Sequence, residues 1–184
     1  MKNLKHLLVL ILALLMSGCV SAEDETGPLP ASAQTVHDSQ RYLSIVYTVA
    51  EETGNGLHET LHAQTYARDG LYAGQELTLT QLLGLEQDGD EEPSIASQLV
   101  YDLIWQIVEA DRQNIESEYL EELSRADFEN AFFPERDFYL DEDGNAVFFI
   151  QTGEIAVEAA GVLIFPFAPA ELLSAVHESE NGSV

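Results

Sequence analysis

The alternation of apolar and polar positions predicts a β-hairpin in the first half of the chain. Residues 42–49 carry apolar side chains at every second position, which is typical of a half-buried strand; they are Leu43, Ile45, Tyr47 and Val49. Two glycines indicate a turn within residues 51–56, and residues 60–67 are expected to return as a second strand. Further on, Thr80 is expected to cap a short helical turn that ends at Leu83.

A four-residue apolar spacing predicts a helix in the middle of the chain. The residues that carry this spacing are Ile95, Leu99, Leu103 and Ile107. Ser94 comes directly before them and is a preferred N-cap residue. Because the apolar stripe continues beyond Asp111, the pattern predicts either one long helix or two consecutive helices; the later positions are Ile115, Tyr119 and Leu123.

A second hairpin is predicted after the helical region. Residues 137–140 and 146–151 read as strands, and residues 141–145 between them contain Asp-Gly, a strong turn signal. Residues 147–150 are apolar on both faces, as is typical of a strand at the centre of a sheet. This hairpin therefore provides the middle of the predicted C-terminal sheet.

The last predicted strand and helix are both placed by prolines. Residues 162–167 read as a strand, and Pro166 favours the edge of a sheet because proline cannot donate a backbone hydrogen bond. Pro169 is expected to begin a short helix through Val176. The pattern as a whole predicts a single α+β domain, in which an antiparallel sheet built from hairpins packs against one long or two consecutive helices.

The first residues read as a targeting segment. Lys2 and Lys5 precede ten uninterrupted apolar residues, 7–16, a length that is typical of a signal peptide and too short to span a bilayer. The run Leu-Met-Ser-Gly-Cys that ends at Cys19 resembles a bacterial lipobox, in which the cysteine is acylated and becomes the mature N-terminus. Cleavage after Ala22, which would release a secreted protein, is the alternative.

The domain boundaries follow from this segment and from composition. We predict a lipoprotein-type signal peptide over residues 1–18, an acidic flexible tether over 19–40, the α+β domain over 41–177 and a disordered tail over 178–184. The tether is inferred from its abundance of Ser, Ala, Thr, Pro and acidic residues. Cys19 is the only cysteine, so the domain has no disulfide and depends on packing alone.

The distribution of charge also separates the first 18 residues from the rest of the chain. The whole chain has 33 acidic and seven basic residues, a formal net charge of −26. Beyond the first 18 residues there are five arginines and no lysine against the same 33 acids, a net charge of −28. Such a surface repels nucleic acid and anionic lipid and attracts cationic partners. The alternative is that the acidity reflects only a solvated surface suited to the habitat.

One string matches a catalytic metal motif. Residues 58–62 read His-Glu-Thr-Leu-His, a literal H-E-x-x-H. On a helix, His58 and His62 would share Zn²⁺ and Glu59 would act as general base, as in zinc peptidases. The threonines and the tyrosine that follow favour a strand instead, on which the two histidines would lie ~13 Å apart. We therefore predict no metal site and keep a zinc peptidase as the enzymatic alternative.

No other motif points to a cofactor or a reaction. The acidic loops at 88–92 and 141–145 lack the glycine and terminal glutamate spacing of an EF-hand loop. A glycine-rich phosphate loop, a serine nucleophile elbow and a dinucleotide-binding fingerprint are not visible in the sequence. The expectation is a protein that is not an enzyme and uses no cofactor.

Several strings at matching spacing resemble a known family. They are Thr-Gly-Asn-Gly-Leu-His at 53–58, Gly-Gln-Glu-Leu-Thr-Leu at 74–79, Phe-Tyr-Leu at 138–140, Val-Phe-Phe at 147–149, Glu-Ile-Ala at 154–156 and Phe-Pro-Phe at 165–167. Together they resemble the C-terminal extracytoplasmic domain shared by RsiV-type anti-sigma factors, which are lysozyme receptors, and PdaC-type peptidoglycan deacetylases. The resemblance spans about residues 42–173.

The resemblance implies an extracytoplasmic α+β domain, with His58 in a loop. The chain differs from the family at Gly153 and Glu158, where aromatic residues are frequent in the family. Neither the sigma-binding segment of the anti-sigma factors nor the catalytic domain of the deacetylases is recognisable in the sequence. What it implies is therefore only the binding half: a membrane-tethered module for a cationic, lysozyme-like protein or for a peptidoglycan-related ligand. A structural envelope lipoprotein without a dedicated ligand is the other alternative.

Candidate recognition residues are chosen from the two predicted exposed turns. These residues are Gly54, Asn55, Gly56, His58, Asp141, Glu142 and Asp143.

Overall fold

A computed structural model describes residues 30–53, 56–85 and 93–181 of the chain. The predicted signal peptide and Cys19 lie outside the described residues. Within them, two three-stranded antiparallel sheets and four α-helices confirm the predicted α+β class, although the strands form two sheets rather than one. In the part of the chain that is described, no helix is both long and apolar enough to cross a membrane.

The first sheet is formed by the N-terminal strands in the order β1–β2–β3. Their bounds are Pro30–Asp38, Tyr42–Thr53 and Gly56–Ala67. The prediction of a flexible tether is wrong over β1, which pairs antiparallel with β2 and sets Ala33 opposite Tyr47. The physical reason is that β2 has a second edge whose N–H and C=O groups need partners, a requirement that the composition of residues 19–40 does not reveal.

The hairpin between β2 and β3 is longer than predicted. β2 continues to Thr53 and β3 begins at Gly56, so most of the expected turn over residues 51–56 is strand. The predicted returning strand over 60–67 is confirmed within β3. His58 pairs with Glu51 in this ladder, so its expected place in a loop is wrong. Continuous cross-strand pairing satisfies the backbone of these residues and accounts for the extension.

The second sheet has the order β4–β5–β6, and the strands are Phe138–Leu140, Ala146–Ile150 and Leu163–Phe167. All five residues of β5 are buried, which confirms the predicted central strand. Pro166 lies in the edge strand β6, as predicted. Gly144 has a φ of 84° in the turn before β5, a conformation that glycine adopts without steric cost.

The four helices are α1 to α4, with bounds Leu79–Leu82, Ile95–Asp111, Arg125–Asn130 and Pro169–Asn181. Ser94 caps α2 as predicted, and its side chain accepts a hydrogen bond from the Ser97 N–H. The cap of α1 is Thr78 rather than Thr80. The predicted disordered tail is wrong from residue 178 to 181, because α4 continues there; the sequence contains no helix-breaking residue before Gly182.

The chain between α2 and α3 is not a helix, so the predicted continuation of the apolar stripe is wrong. The backbone turns after Arg112, where the Asn114 N–H donates to the carbonyl of Asp111 at 2.8 Å. Tyr119 instead forms an isolated antiparallel bridge with Ala156. Asparagine stabilises turns through local hydrogen bonds, and here this local preference prevails over the apolar spacing.

The hydrophobic core lies between the second sheet and the helices. One face of α2 buries Val100, Ile104 and Val108 completely, and α2 packs against α4. Phe148 of β5 lies in the same cluster with its ring centroid 6.0 Å from that of Phe138. The other fully buried side chains of this cluster include Leu79, Phe128, Leu140, Ile150, Ile155 and Leu172.

A half-buried carboxylate, that of Glu135, joins the N-termini of α1 and α2. It accepts hydrogen bonds from the Thr80 N–H at 3.0 Å and from the Thr80 hydroxyl at 2.6 Å. The hydroxyls of Ser94 and Ser97 donate to the same group. Burial favours the neutral carboxyl, but the hydrogen bonds from Ser94 and Thr80 outweigh it, so the pKa of Glu135 lies below its ordinary value.

We expect Glu135→Gln to destabilise the protein by about 2 kcal/mol at pH 7, because the charged acceptor of several hydrogen bonds is lost. The folded-state pKa of Glu135 is depressed, so its contribution is complete above the pKa of an unfolded glutamate, about 4.3. It declines as the pH falls through the folded-state pKa. Urea unfolding of both proteins between pH 3 and pH 7 measures the difference, which should shrink toward pH 3.

The matched control is Glu142→Gln, which changes an exposed glutamate and should shift the free energy of unfolding by less than about 0.5 kcal/mol. A difference between the native protein and Glu135→Gln that does not change with pH would contradict the role of the ionised carboxylate.

Candidate functional site

The described residues of the two predicted recognition turns, Gly56 and His58 in one and residues 141–143 in the other, do not meet. Gly54 and Asn55 lie outside the described residues, between the ends of β2 and β3. The turn over residues 141–145 lies near the opposite end of the first sheet, where a Cβ on Gly144 would be 3.8 Å from the His37 ring. His37 pairs with Ser44, nine residues before Thr53, and nine extended residues span ~30 Å. The two turns therefore cannot form one binding surface.

Asp141 is used to hold its own turn. Its carboxylate accepts hydrogen bonds from the Asp143 N–H at 3.0 Å, the Asn145 N–H at 2.9 Å and the Asn145 side-chain amide at 2.9 Å. Slight burial raises the pKa of Asp141, but the donors from Asn145 and Asp143 lower it more. Of the three acids predicted here, only Glu142 and Asp143 present exposed carboxylates without such donors.

The two histidines of the H-E-x-x-H string lie on a strand. His58 and His62 are four residues apart on β3 and both are exposed; at ~13 Å between their Cα atoms, they cannot share one ion. The His62 ring stacks on Tyr47 with centroids 5.3 Å apart, and its Nε2 is 3.0 Å from the Thr60 hydroxyl. Among the described residues, no three His, Cys, Asp or Glu side chains are grouped so as to hold a metal ion.

A different group of acids forms an exposed cluster of negative charge. The segment that leads from α2 to α3 lies beside the segment that precedes the short 3₁₀ turn Glu158–Ala160. Their exposed glutamates are termed the acidic surface: Glu116, Glu118, Glu121, Glu122, Glu154 and Glu158. Within the described chain, none of these six carboxylates accepts a hydrogen bond or joins an ion pair. Their charges are therefore open to a partner.

Backbone hydrogen bonds hold the two segments of the acidic surface together. The Leu120 N–H donates to the Ile155 carbonyl at 3.0 Å, and the Val157 N–H donates to the Glu118 carbonyl at 2.9 Å. The Arg112 guanidinium donates to the carbonyls of Glu121 at 2.6 Å and Leu123 at 3.0 Å. These hydrogen bonds restrain the backbone of the loop on both sides, so the positions of its glutamates are also restrained.

Apolar side chains lie among these glutamates. Ile115 is fully exposed, at 102% of its reference area, and Val157 and Leu120 are exposed by 45% and 38%. Leu120 also lines an open hollow of about 470 Å³ whose other residues include Glu122, Asp127 and Glu154. Apolar residues amid unpaired charge are typical of surfaces that bind another protein.

The nearby arginines do not neutralise the acidic surface. Arg112 directs its guanidinium to backbone carbonyls, as described above. Arg125 pairs with Asp102 at 2.7 Å and with Glu129 at 2.5 Å. Since like charges reinforce one another over about a Debye length, the six glutamates create a negative potential that the single charge of Arg112 offsets only in part.

Comparison of the chain with protein-family models and with curated proteins finds no match for it. The resemblance to the RsiV-like family stays a prediction. The sequence pattern does not predict the acidic surface, because the apolar spacing over residues 115–123 predicts a helix there. The signal that points to it is the density of glutamates at 116, 118, 121 and 122 directly after the turn-forming Asn114.

We expect Arg112→Met to loosen the acidic surface while the core stays folded. Two charge-assisted hydrogen bonds to carbonyls are lost, which costs about 1–2 kcal/mol locally. Amide hydrogen exchange at Leu120 and Val157 should then speed up by about five- to thirtyfold. Arg136→Met, which removes an exposed arginine outside this surface, is the control; equal protection in both variants would contradict the role of Arg112.

Proposed function

We propose that the protein is an extracytoplasmic, membrane-tethered binding module that captures a cationic protein of the lysozyme type on its acidic surface. The observation that carries the proposal is the acidic surface itself: six glutamates without hydrogen-bond or ion-pair partners in the described chain, on two hydrogen-bonded segments, the first of which also carries the fully exposed Ile115. The family resemblance and the net charge of the lysine-free region support the same kind of partner.

The chemistry of the surface suits two stages of binding. The negative potential speeds the encounter with a cationic protein, an effect that salt weakens. Ile115, Leu120 and Val157 then supply apolar area that is buried on contact, and such central apolar anchors give most of the affinity in protein interfaces. The hollow beside Leu120 offers Glu122, Asp127 and Glu154 as acceptors for an arginine or lysine side chain.

The tether is the second element of the proposal. If Cys19 is acylated, the ten residues between it and Pro30 allow β1 to begin at most ~40 Å from the membrane surface. Stable anchoring requires more than one acyl chain, which a lipoprotein N-terminus provides. The module would then meet its partner close to the membrane, where a wall-lytic enzyme that has passed through the wall arrives.

We expect lysozyme to bind the purified protein at low ionic strength and to weaken steeply as salt is raised. The triple variant Glu118→Gln, Glu121→Gln, Glu122→Gln should weaken binding about tenfold, because three exposed ion pairs contribute about 0.5 kcal/mol each. Isothermal titration calorimetry at several salt concentrations measures both effects.

The matched control removes the same number of charges from exposed positions elsewhere: Glu52→Gln, Glu59→Gln and Glu142→Gln. It should reduce the affinity by less than twofold. An equal loss in the two triple variants would mean that only the total charge matters, and absence of binding at low salt would contradict the proposal itself.

Ile115→Ala tests the apolar anchor separately. Because the side chain is fully exposed in the free protein, the free energy of unfolding should change by less than about 0.5 kcal/mol. Lysozyme binding should weaken about tenfold at every salt concentration, since apolar burial is not screened. The control is Leu71→Ala, which truncates an exposed aliphatic side chain outside the acidic surface. Unchanged affinity in Ile115→Ala would show that Ile115 does not contribute to the interface.

A further inference from the structure

A large cleft lies on the molecule away from the acidic surface, with which it shares no residue. It has a volume of about 820 Å³ and is formed where the ends of all three strands of the first sheet meet α1 and the start of α4. Ligand pockets in proteins commonly measure about 300–1,000 Å³, so the cleft is large enough for a small amphiphile.

The walls of the cleft are mainly apolar. They include Tyr42, Tyr72, Leu77, Leu82, Leu140 and Leu173. Leu71 belongs to the same lining and is 85% exposed. Leu77 and Leu140 are already buried by the protein. An apolar chain in the cleft would cover the exposed Leu71 and the half-buried tyrosines and leucines and remove their remaining area from water, which is favourable at about 25 cal/mol per Å².

Two opposite charges lie in this lining without partners. Arg41 is exposed and its guanidinium carbon is 5.3 Å from the centroid of the Tyr42 ring. Its carbonyl accepts from the Arg68 N–H at 2.8 Å, but within the described residues its guanidinium makes no hydrogen bond or ion pair. Arg68 and Arg125 form ion pairs, and Arg112 binds carbonyls. In a protein with 33 acidic residues, a guanidinium without a carboxylate partner is available to an external anion.

Asp69 supplies the opposite charge. It is exposed, it lines the same cleft, and its carboxylate has no hydrogen-bond donor among the described residues. Arg41 and Asp69 form no salt bridge with each other. The ion pair in the neighbouring residues joins Arg68 to Asp38 at 2.6 Å. His37, a further lining residue, uses Nδ1 to donate to the carbonyl of Asp141 at 2.6 Å.

We propose that this cleft binds one molecule of a single-chain zwitterionic amphiphile of the lysophospholipid type. The acyl chain lies along the leucine and tyrosine walls, the phosphate accepts from the Arg41 guanidinium, and the head-group ammonium lies near the Asp69 carboxylate. This ligand class matches an apolar cleft that carries one free cation and one free anion, whereas an alkyl anion or an alkyl cation would meet a like charge at Asp69 or Arg41.

Isothermal titration calorimetry with dodecylphosphocholine below its micelle-forming concentration tests the proposal. We expect saturable binding of one molecule per protein. Arg41→Gln and Asp69→Asn should each weaken it about two- to fivefold, as for an exposed ion pair. Arg136→Gln, which removes an arginine outside the cleft, should leave the affinity unchanged.

Dodecanoate, an anion with a chain of the same length, separates head-group recognition from a merely structural role of these residues. Its binding should weaken in Arg41→Gln and strengthen in Asp69→Asn, opposite directions that a general loss of structure cannot produce. Leu82→Trp, checked for an unchanged circular dichroism spectrum, should weaken both ligands by filling the cleft. Binding that occurs only with micelles or vesicles, or that shifts in the same direction in both charge variants for dodecanoate, would overturn the site.

Discussion

The carboxylate of Glu135 is the interaction on which the arrangement of the helices depends. It lies between α3 and β4 in the chain, and it accepts from Thr80 at the start of α1 and from Ser94 and Ser97 at the start of α2. The carbonyl of the same residue accepts from the Leu79 N–H at 3.2 Å. Negative charge at a helix N-terminus also complements the helix dipole. One residue therefore fixes how both helices meet the second sheet.

Glu135 shows how a lysine-free acidic domain satisfies the carboxylates that it keeps inside the fold. Five arginines cannot neutralise 33 acids, so the donors are hydroxyl and N–H groups instead. Asp141 follows the same rule with Asn145, and Asp137 accepts from the Phe133 N–H at 2.6 Å. Many of the other carboxylates in the described residues are exposed, and six of them gather as the acidic surface, where the segment between α2 and α3 lies beside residues 154–158. The excess of acids over arginines thus has two consequences. Carboxylates inside the fold accept hydrogen bonds from neutral donors, and exposed carboxylates accumulate negative charge at the surface.

Features that depend on neighbours in the sequence could be predicted. Ser94 caps α2, Gly144 makes the turn of the second hairpin, and Pro166 lies in an edge strand, because each of these follows from the conformational preference of one residue. The strand character of residues 60–67, which separates His58 from His62, was also readable from β-branched and aromatic residues.

Features that depend on distant partners could not be predicted. β1 is a strand because β2 has an open edge, and nothing in the composition of residues 30–38 records that. Tyr119 and Leu123 fit a helical stripe, yet Tyr119 forms a bridge with Ala156, and the Leu123 N–H closes a turn by donating to the Leu120 carbonyl at 3.2 Å. Of the acidic surface, the sequence shows only the cluster of glutamates at 116–122; that residues 154–158 lie beside it depends on the fold. In the sequence, nothing distinguishes Glu135 from the other acidic residues. Its role depends on the fold, which brings the hydroxyls of Thr80 and Ser94 to its carboxylate.

The central claim, that the acidic surface is where a cationic protein docks, is tested most directly by an amide hydrogen-exchange footprint of the protein with and without bound lysozyme at low salt. If lysozyme docks on the acidic surface, amide hydrogen exchange should slow on binding in residues 115–122 and 154–158 and change little in β2 and β3. Protection confined to the turn between β2 and β3 or to residues 141–145, with the acidic surface unaffected in a saturated complex, would contradict it.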